Sequence, residues 1–234
     1  MDPRRLHTEF GLDERLAGMG CAYCGAEPDS VDHVPSRILL DNPLPENLPT
    51  VPACIKCNRG FSRDEEYFAC FLESVICGSP AHGKVKREKV RRALQHSPAL
   101  AASIASCVSR HADGQLIWEP NRARVEKVLR KLALGHAAFE WSTPCHDYEA
   151  QISYMPLMSM SQAEREAYEV GDTGDGWPEI GSRAFLRAVG EKSFDNQIGR
   201  WITIQNGRYR YATNSGDSVY FVISEYLACE VSFT

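Results

Sequence analysis

Residues 20–33 read GCAYCGAEPDSVDH and residues 54–58 read CIKCN. Two Cys-x-x-Cys pairs, Cys21/Cys24 and Cys54/Cys57, bracket an Asp-His and close on an asparagine. Each pair can place two thiolates on one tight turn, and four thiolates satisfy the tetrahedron that Zn²⁺ prefers. The doubled spacing is far more specific than either pair alone. A closed four-sulfur site has no open coordination position, so its zinc is expected to be structural. Residues 20–62 are rich in Cys, Pro, Asn and Asp and poor in periodic apolar runs. That is the composition of a small fold organised by metal in place of core.

The remainder of the chain is ordinary in bulk. Its 234 residues, 43% apolar and 24% charged, suit one large domain or two small ones. No apolar run approaches the roughly 20 residues that span a bilayer. The stretch MDPRRLHTEFGLDERLAG is charged and has no apolar core of a secretory signal. A cytoplasmic protein with no membrane partner is expected, and in that reducing compartment paired cysteines read as metal ligands before disulfides. Cys70, Cys77, Cys107, Cys145 and Cys229 read mostly as small hydrophobes. The net charge of −5 excludes a chain that is basic as a whole. Basic residues nevertheless cluster in KVKREKVRR (84–92) and RARVEKVLRK (122–131). Such stripes can meet phosphates locally, because exposed charges are screened beyond about 10 Å.

Ser62-Arg63-Asp64-Glu65 has the capping-box pattern ahead of an apolar-rich run, which predicts a helix over 63–77. The acids Asp64, Glu65 and Glu66 would then favour the dipole of its first turn. Further helices are expected over 84–95, 98–110, 121–138 and 161–170. From residue 200 the runs RWITIQ, RYRYAT, SVYFVISE and YLACEVSF alternate and are separated by turn residues. They predict three or four antiparallel strands, with Trp201, Tyr209, Tyr211, Tyr220, Phe221 and Tyr226 mainly as cross-strand core pairs. The fold class is α+β. Residues 1–80 carry an arm and the four-cysteine site, 81–150 are helical, and 151–234 end in a small antiparallel sheet.

In order, C-x-x-C, DHVP (32–35), ENL (46–48) and C-x-x-C-N over residues 19–70 resemble the zinc-stapled HNH endonucleases. These are a branch of the His-Me finger, or ββα-metal, nucleases. The resemblance covers under a third of the chain and implies a ββα-metal module. It implies His33 as general base, since neutral imidazole accepts a proton near pH 7. It implies Asp32 and Asn58 as hard oxygen ligands to one Mg²⁺ or Mn²⁺, and Asn47 as the residue that ties down the loop and orients the histidine. Many relatives carry a lysine where this chain has Phe61, so Arg59 or Arg63 would supply positive charge at the phosphate. Lys84, Lys86 and Arg87 of the first basic stripe are further candidate substrate contacts.

The implied activity is hydrolysis of phosphodiester bonds in DNA by nicking or cutting. Bacterial members of the class act in defence against foreign DNA, an antiviral role that reaches this chain by analogy alone. RNA is the alternative substrate, and a non-catalytic zinc-binding adaptor for nucleic acid or protein is the alternative function. A protein partner or a homodimer is left open. Cys145-His146-Asp147 is read as structural, because neighbours in a chain do not readily face each other as a catalytic dyad.

Overall fold

The computed structural model describes residues 12–46, 48–170, 197–198, 201–214 and 217–234. Two short strands, β1 (Ser30–His33) and β2 (Thr50–Ala53), pair antiparallel, with Asp32 opposite Val51 and His33 opposite Thr50. Helix α1 (Ile55–Ile76) follows at once. It starts at the second cysteine pair and not at Arg63. The Cys57 amide donates to Cys54 Sγ at 3.4 Å, and the Ile55 amide donates to Asp29 Oδ1 at 2.5 Å. Two N–H groups that a helix start leaves unpaired are thus satisfied by a thiol and by a carboxylate distant in sequence. The local capping box at Ser62 is overridden. Asp64 lies inside the helix and pairs with Arg124 and Lys127, each at 2.6 Å, in place of serving a first turn.

The chain divides into two compact units, residues 60–128 and a second made of 1–59 with 129–234. The division falls inside α1 and inside a later helix.

In the unit 60–128, α1 is followed by α2 (Glu88–His96) and α3 (Pro98–Ala105). Ser97 Oγ accepts the Leu100 amide at 3.4 Å and Pro98 occupies the first turn. The helix expected over 98–110 stops early, and 108–110 form strand β3 (Val108–Arg110), paired with β4 (Leu116–Trp118). Strands of three residues are too short for periodicity to reveal. Arg87 is buried against Glu73, Nη1 to Oε1 at 3.5 Å, with 4% of each side chain exposed. It therefore belongs to the interior of this unit, whereas Lys84 and Lys86 are exposed.

In the other unit, the centre is the second half of α4 (Arg122–Trp141). Every residue from 131 to 140 is buried, so this stretch has no solvent face. One side meets a six-stranded antiparallel sheet in the order β5-β10-β9-β8-β7-β6. The strands are β5 (Ala150–Pro156), β6 (Gln197–Ile198), β7 (Trp201–Gln205), β8 (Tyr209–Thr213), β9 (Ser218–Ile223) and β10 (Leu227–Phe233). The last four follow the expected pattern; β5 and β6 extend the sheet at its two ends.

Alternation along β8 assigns its faces. Tyr209 and Tyr211 turn toward α4, where the His136 ring stacks 4.0 Å from that of Tyr211 and its Nε2 lies 2.9 Å from the Tyr209 hydroxyl. The Tyr211 hydroxyl donates to Glu140. Arg210 turns the other way, toward α5 (Gln162–Val170), and binds both carboxylate oxygens of Glu169 at 2.6 and 2.7 Å. The aromatic residues Trp201, Tyr209, Tyr211 and Phe221 are buried, so they form core and not a base-stacking platform. Among the described residues no helix is long and apolar enough to cross a membrane.

The opposite side of α4 lies against β1 and the first cysteine turn. Gly135 makes that approach possible: a Cβ there would sit 2.6 Å from Val34 Cγ2, and Val34 is buried. Helix propensity alone favours alanine over glycine by about 1 kcal/mol. Overpacking a filled core costs about 1–3 kcal/mol and opposes it. Gly135→Ala is therefore expected to lower the urea unfolding midpoint, and a raised midpoint would refute the close approach.

Candidate functional site

The first cysteine pair sits on a turn closed by main-chain bonds. The Gly25 amide donates to the Cys21 carbonyl at 2.8 Å, and the Cys21 amide donates to the Ala26 carbonyl at 2.7 Å. The Ala22 amide donates to the Pro52 carbonyl at 2.9 Å, fastening this turn to β2. Gly25 is required on two counts, a φ of +70° and a Cβ position that would lie 2.5 Å from His146 Nε2. The second pair caps α1. The register of the hairpin thus brings the pairs together from opposite ends of the segment.

One sulfur from each of Cys21, Cys24, Cys54 and Cys57 lies within 4.8 Å of the others, and Cys24 Sγ is 3.7 Å from Cys54 Sγ. A tetrahedron with Zn–S bonds of about 2.3 Å has sulfur-to-sulfur edges of about 3.8 Å. The cluster therefore has the size and donor chemistry for zinc, and four soft ligands leave no position for substrate. Burial raises the Cys21 thiol above its ordinary value and raises Cys57 further. Such thiols, crowded and desolvated, gain most from a cation that takes their negative charge. Among the described residues, this is the only group of three or more His, Cys, Asp or Glu side chains placed to share a metal ion.

Asp32 and His33 lie side by side on β1. The His33 pKa is lowered, first by burial and then by the charges of Arg37 and Lys131, with Asp32 opposing. The imidazole is consequently neutral at pH 7 and can accept a proton. Asn58, in the first turns of α1, donates through Nδ2 to the Val31 carbonyl at 3.0 Å and to Ser30 Oγ at 3.3 Å. It clasps the helix to the strand that carries Asp32 and His33. With the amide nitrogen so engaged, the carbonyl oxygen is the atom of Asn58 chemically suited to a hard cation.

Sequence reasoning missed the groups that hold Asp32. Its Oδ2 forms an ion pair with Lys131 Nζ at 2.7 Å and accepts from the Tyr23 hydroxyl at 2.9 Å, and its Oδ1 accepts the His33 amide at 2.8 Å. Lys131 is fully buried on α4; it also donates to Ser36 Oγ at 2.9 Å and lies 5.6 Å from the Tyr23 ring centroid. A signal was available: Lys131, His136 and Glu140 are the ionisable residues of an otherwise apolar stretch, KLALGHAAFE, and a buried charge requires a partner. The partner itself lies 99 positions away and leaves no local trace.

A carboxylate offers about four acceptor positions. At Asp32 the ion pair and two hydrogen bonds occupy three of these. Arg59 is exposed on α1 one residue after Asn58. Arg63 is exposed in the unit 60–128, as are Lys84 and Lys86. Asn47 lies outside the described residues.

No protein-family model, curated protein or solved structure matches the chain. The functional reading accordingly rests on the residues themselves. Cys54→Ser removes both a zinc ligand and the sulfur cap of α1. It is expected to release zinc and to expose residues 20–58 to limited proteolysis, while the aromatic sheet core keeps its near-ultraviolet signal. Retention of zinc with an unchanged digestion pattern would contradict the structural role.

Proposed function

We propose that the chain is a metal-dependent HNH-type endonuclease that hydrolyses phosphodiester bonds in DNA. One observation carries the reading: a half-buried histidine follows a carboxylate on β1, and α1 is clasped to that strand by Asn58 next to a four-thiol clip. A clip that served only to hold a small fold would not require the histidine.

In this reading His33 takes a proton from a water molecule, whose oxygen attacks phosphorus as the P–O bond to the leaving oxygen breaks. Asp32 and Asn58 would hold Mg²⁺ or Mn²⁺. When bound, the ion supplies Lewis acidity at the phosphate and stabilises charge on the leaving oxygen. Arg59 offers a cation to a neighbouring phosphate. Zinc builds the frame and takes no part in the chemistry. Tyr23 and Lys131 fix the Asp32 carboxylate, and Asn58 fixes the spacing between strand and helix. Lys84 and Lys86 are the exposed members of the first stripe and would add salt-dependent, sequence-independent phosphate contacts. Defence against foreign DNA is the biological setting that the resemblance suggests.

Supercoiled plasmid is expected to be nicked in the presence of Mg²⁺ or Mn²⁺ and preserved in EDTA. His33→Ala should slow nicking by about 10²-fold or more, the usual contribution of a general base, with zinc content and circular dichroism unchanged. Undiminished nicking by that variant would reject His33 as the base. Cleavage of RNA but not DNA would reassign the substrate. Nucleic-acid binding without cleavage of either would favour the adaptor.

A further inference from the structure

We infer that Lys131 is a positioning residue whose ammonium keeps the Asp32 carboxylate from taking up a free divalent cation. The inference rests on the reading of Asp32 as a ligand to the catalytic ion and adds a control that the reading alone does not contain.

The geometry is that of a built counter-charge. Lys131 Nζ is 2.7 Å from Asp32 Oδ2, with 1% of the lysine side chain and 14% of the aspartate side chain exposed. Ser36 Oγ, on a residue that is itself buried, accepts a hydrogen bond from the same ammonium at 2.9 Å. The stem of Lys131 issues from a stretch of α4 buried on every side, so the charge cannot leave for solvent as a surface lysine would.

Electrostatics then decides what the site attracts. Asp32 and Lys131 together sum to no net charge. A free Mg²⁺ or Mn²⁺ therefore meets a carboxylate whose charge is already offset. Hard cations need carboxylate charge to offset the loss of their tightly held water. A phosphodiester carries the negative charge that Lys131 has cancelled. The ion is thus retained when the substrate anion is already in place, and the resting protein does not hold a hydrolytically competent metal.

The test is a Mn²⁺ titration of the zinc-loaded full chain, read by the electron paramagnetic resonance of the free ion. No cleavage enters the measurement, so it fails or succeeds independently of plasmid nicking. Wild type and Lys131→Arg are expected to bind Mn²⁺ weakly and alike. Lys131→Met should bind about tenfold more tightly or better, the scale of removing one nearby positive charge. Adding Asp32→Asn to Lys131→Met should abolish that gain. Equal Mn²⁺ affinity in wild type and Lys131→Met overturns the inference. If Lys131→Met does not fold, wild type, Asp32→Asn and Lys131→Gln decide. Tight binding by wild type that is lost in Asp32→Asn overturns the inference, and weak wild-type binding that becomes tight in Lys131→Gln, and weak again when Asp32→Asn is added, supports it.

Discussion

The burial of residues 131–140 on all sides of α4 is the constraint to which the rest of its unit answers. A helix wet on one face can send its polar groups to water. This stretch cannot, so each ionisable group it carries must meet a partner from a different part of the chain. Lys131 finds Asp32 and Ser36, His136 finds Tyr209, and Glu140 finds Tyr211. These contacts join the N-terminal hairpin and the C-terminal sheet through one helix. They also explain why residues 1–59 and 129–234 form a single unit across a long interval of sequence.

The cysteine cluster acts on the same unit by a different route. Four thiols in a space fit for zinc anchor the hairpin at the turn 21–24 and at the start of α1. Cys54 contributes twice, as a candidate ligand and as the cap of the helix. The metal-binding chemistry and the helix boundary are therefore one event. Asn58, fixed one residue beyond the last cysteine, inherits its place from that cap. Its amide can reach the Val31 carbonyl because helix and strand are clamped together a turn away.

Much of this organisation is legible in the residues. The doubled Cys-x-x-Cys spacing announces four clustered thiols, and the alternating runs after residue 200 announce an antiparallel sheet. Asp32 and His33 stand out as a tandem acid and imidazole between the two cysteine pairs. Less legible were features whose cause is distant. The start of α1 depends on Asp29, 26 positions before Ile55, so a local capping box at Ser62 misleads. Arg87 reads as part of a basic surface stripe, yet Glu73 of the preceding helix draws it inside. Strands β3 and β4 are shorter than one alternation can signal.

By itself, the sequence determined the donor chemistry: four soft sulfurs in paired turns, a histidine and carboxylate in tandem, and an asparagine at the end of the clip. Those facts depend on residue type and short spacing, which the covalent chain supplies directly. Only the tertiary structure decided the electrostatic state of the site. The ammonium beside Asp32 comes from residue 131, and pairing it with residue 32 requires the packing of a whole helix against the hairpin. Short-range pattern cannot encode such a pair, because Coulomb attraction follows distance in space and is indifferent to separation along the chain.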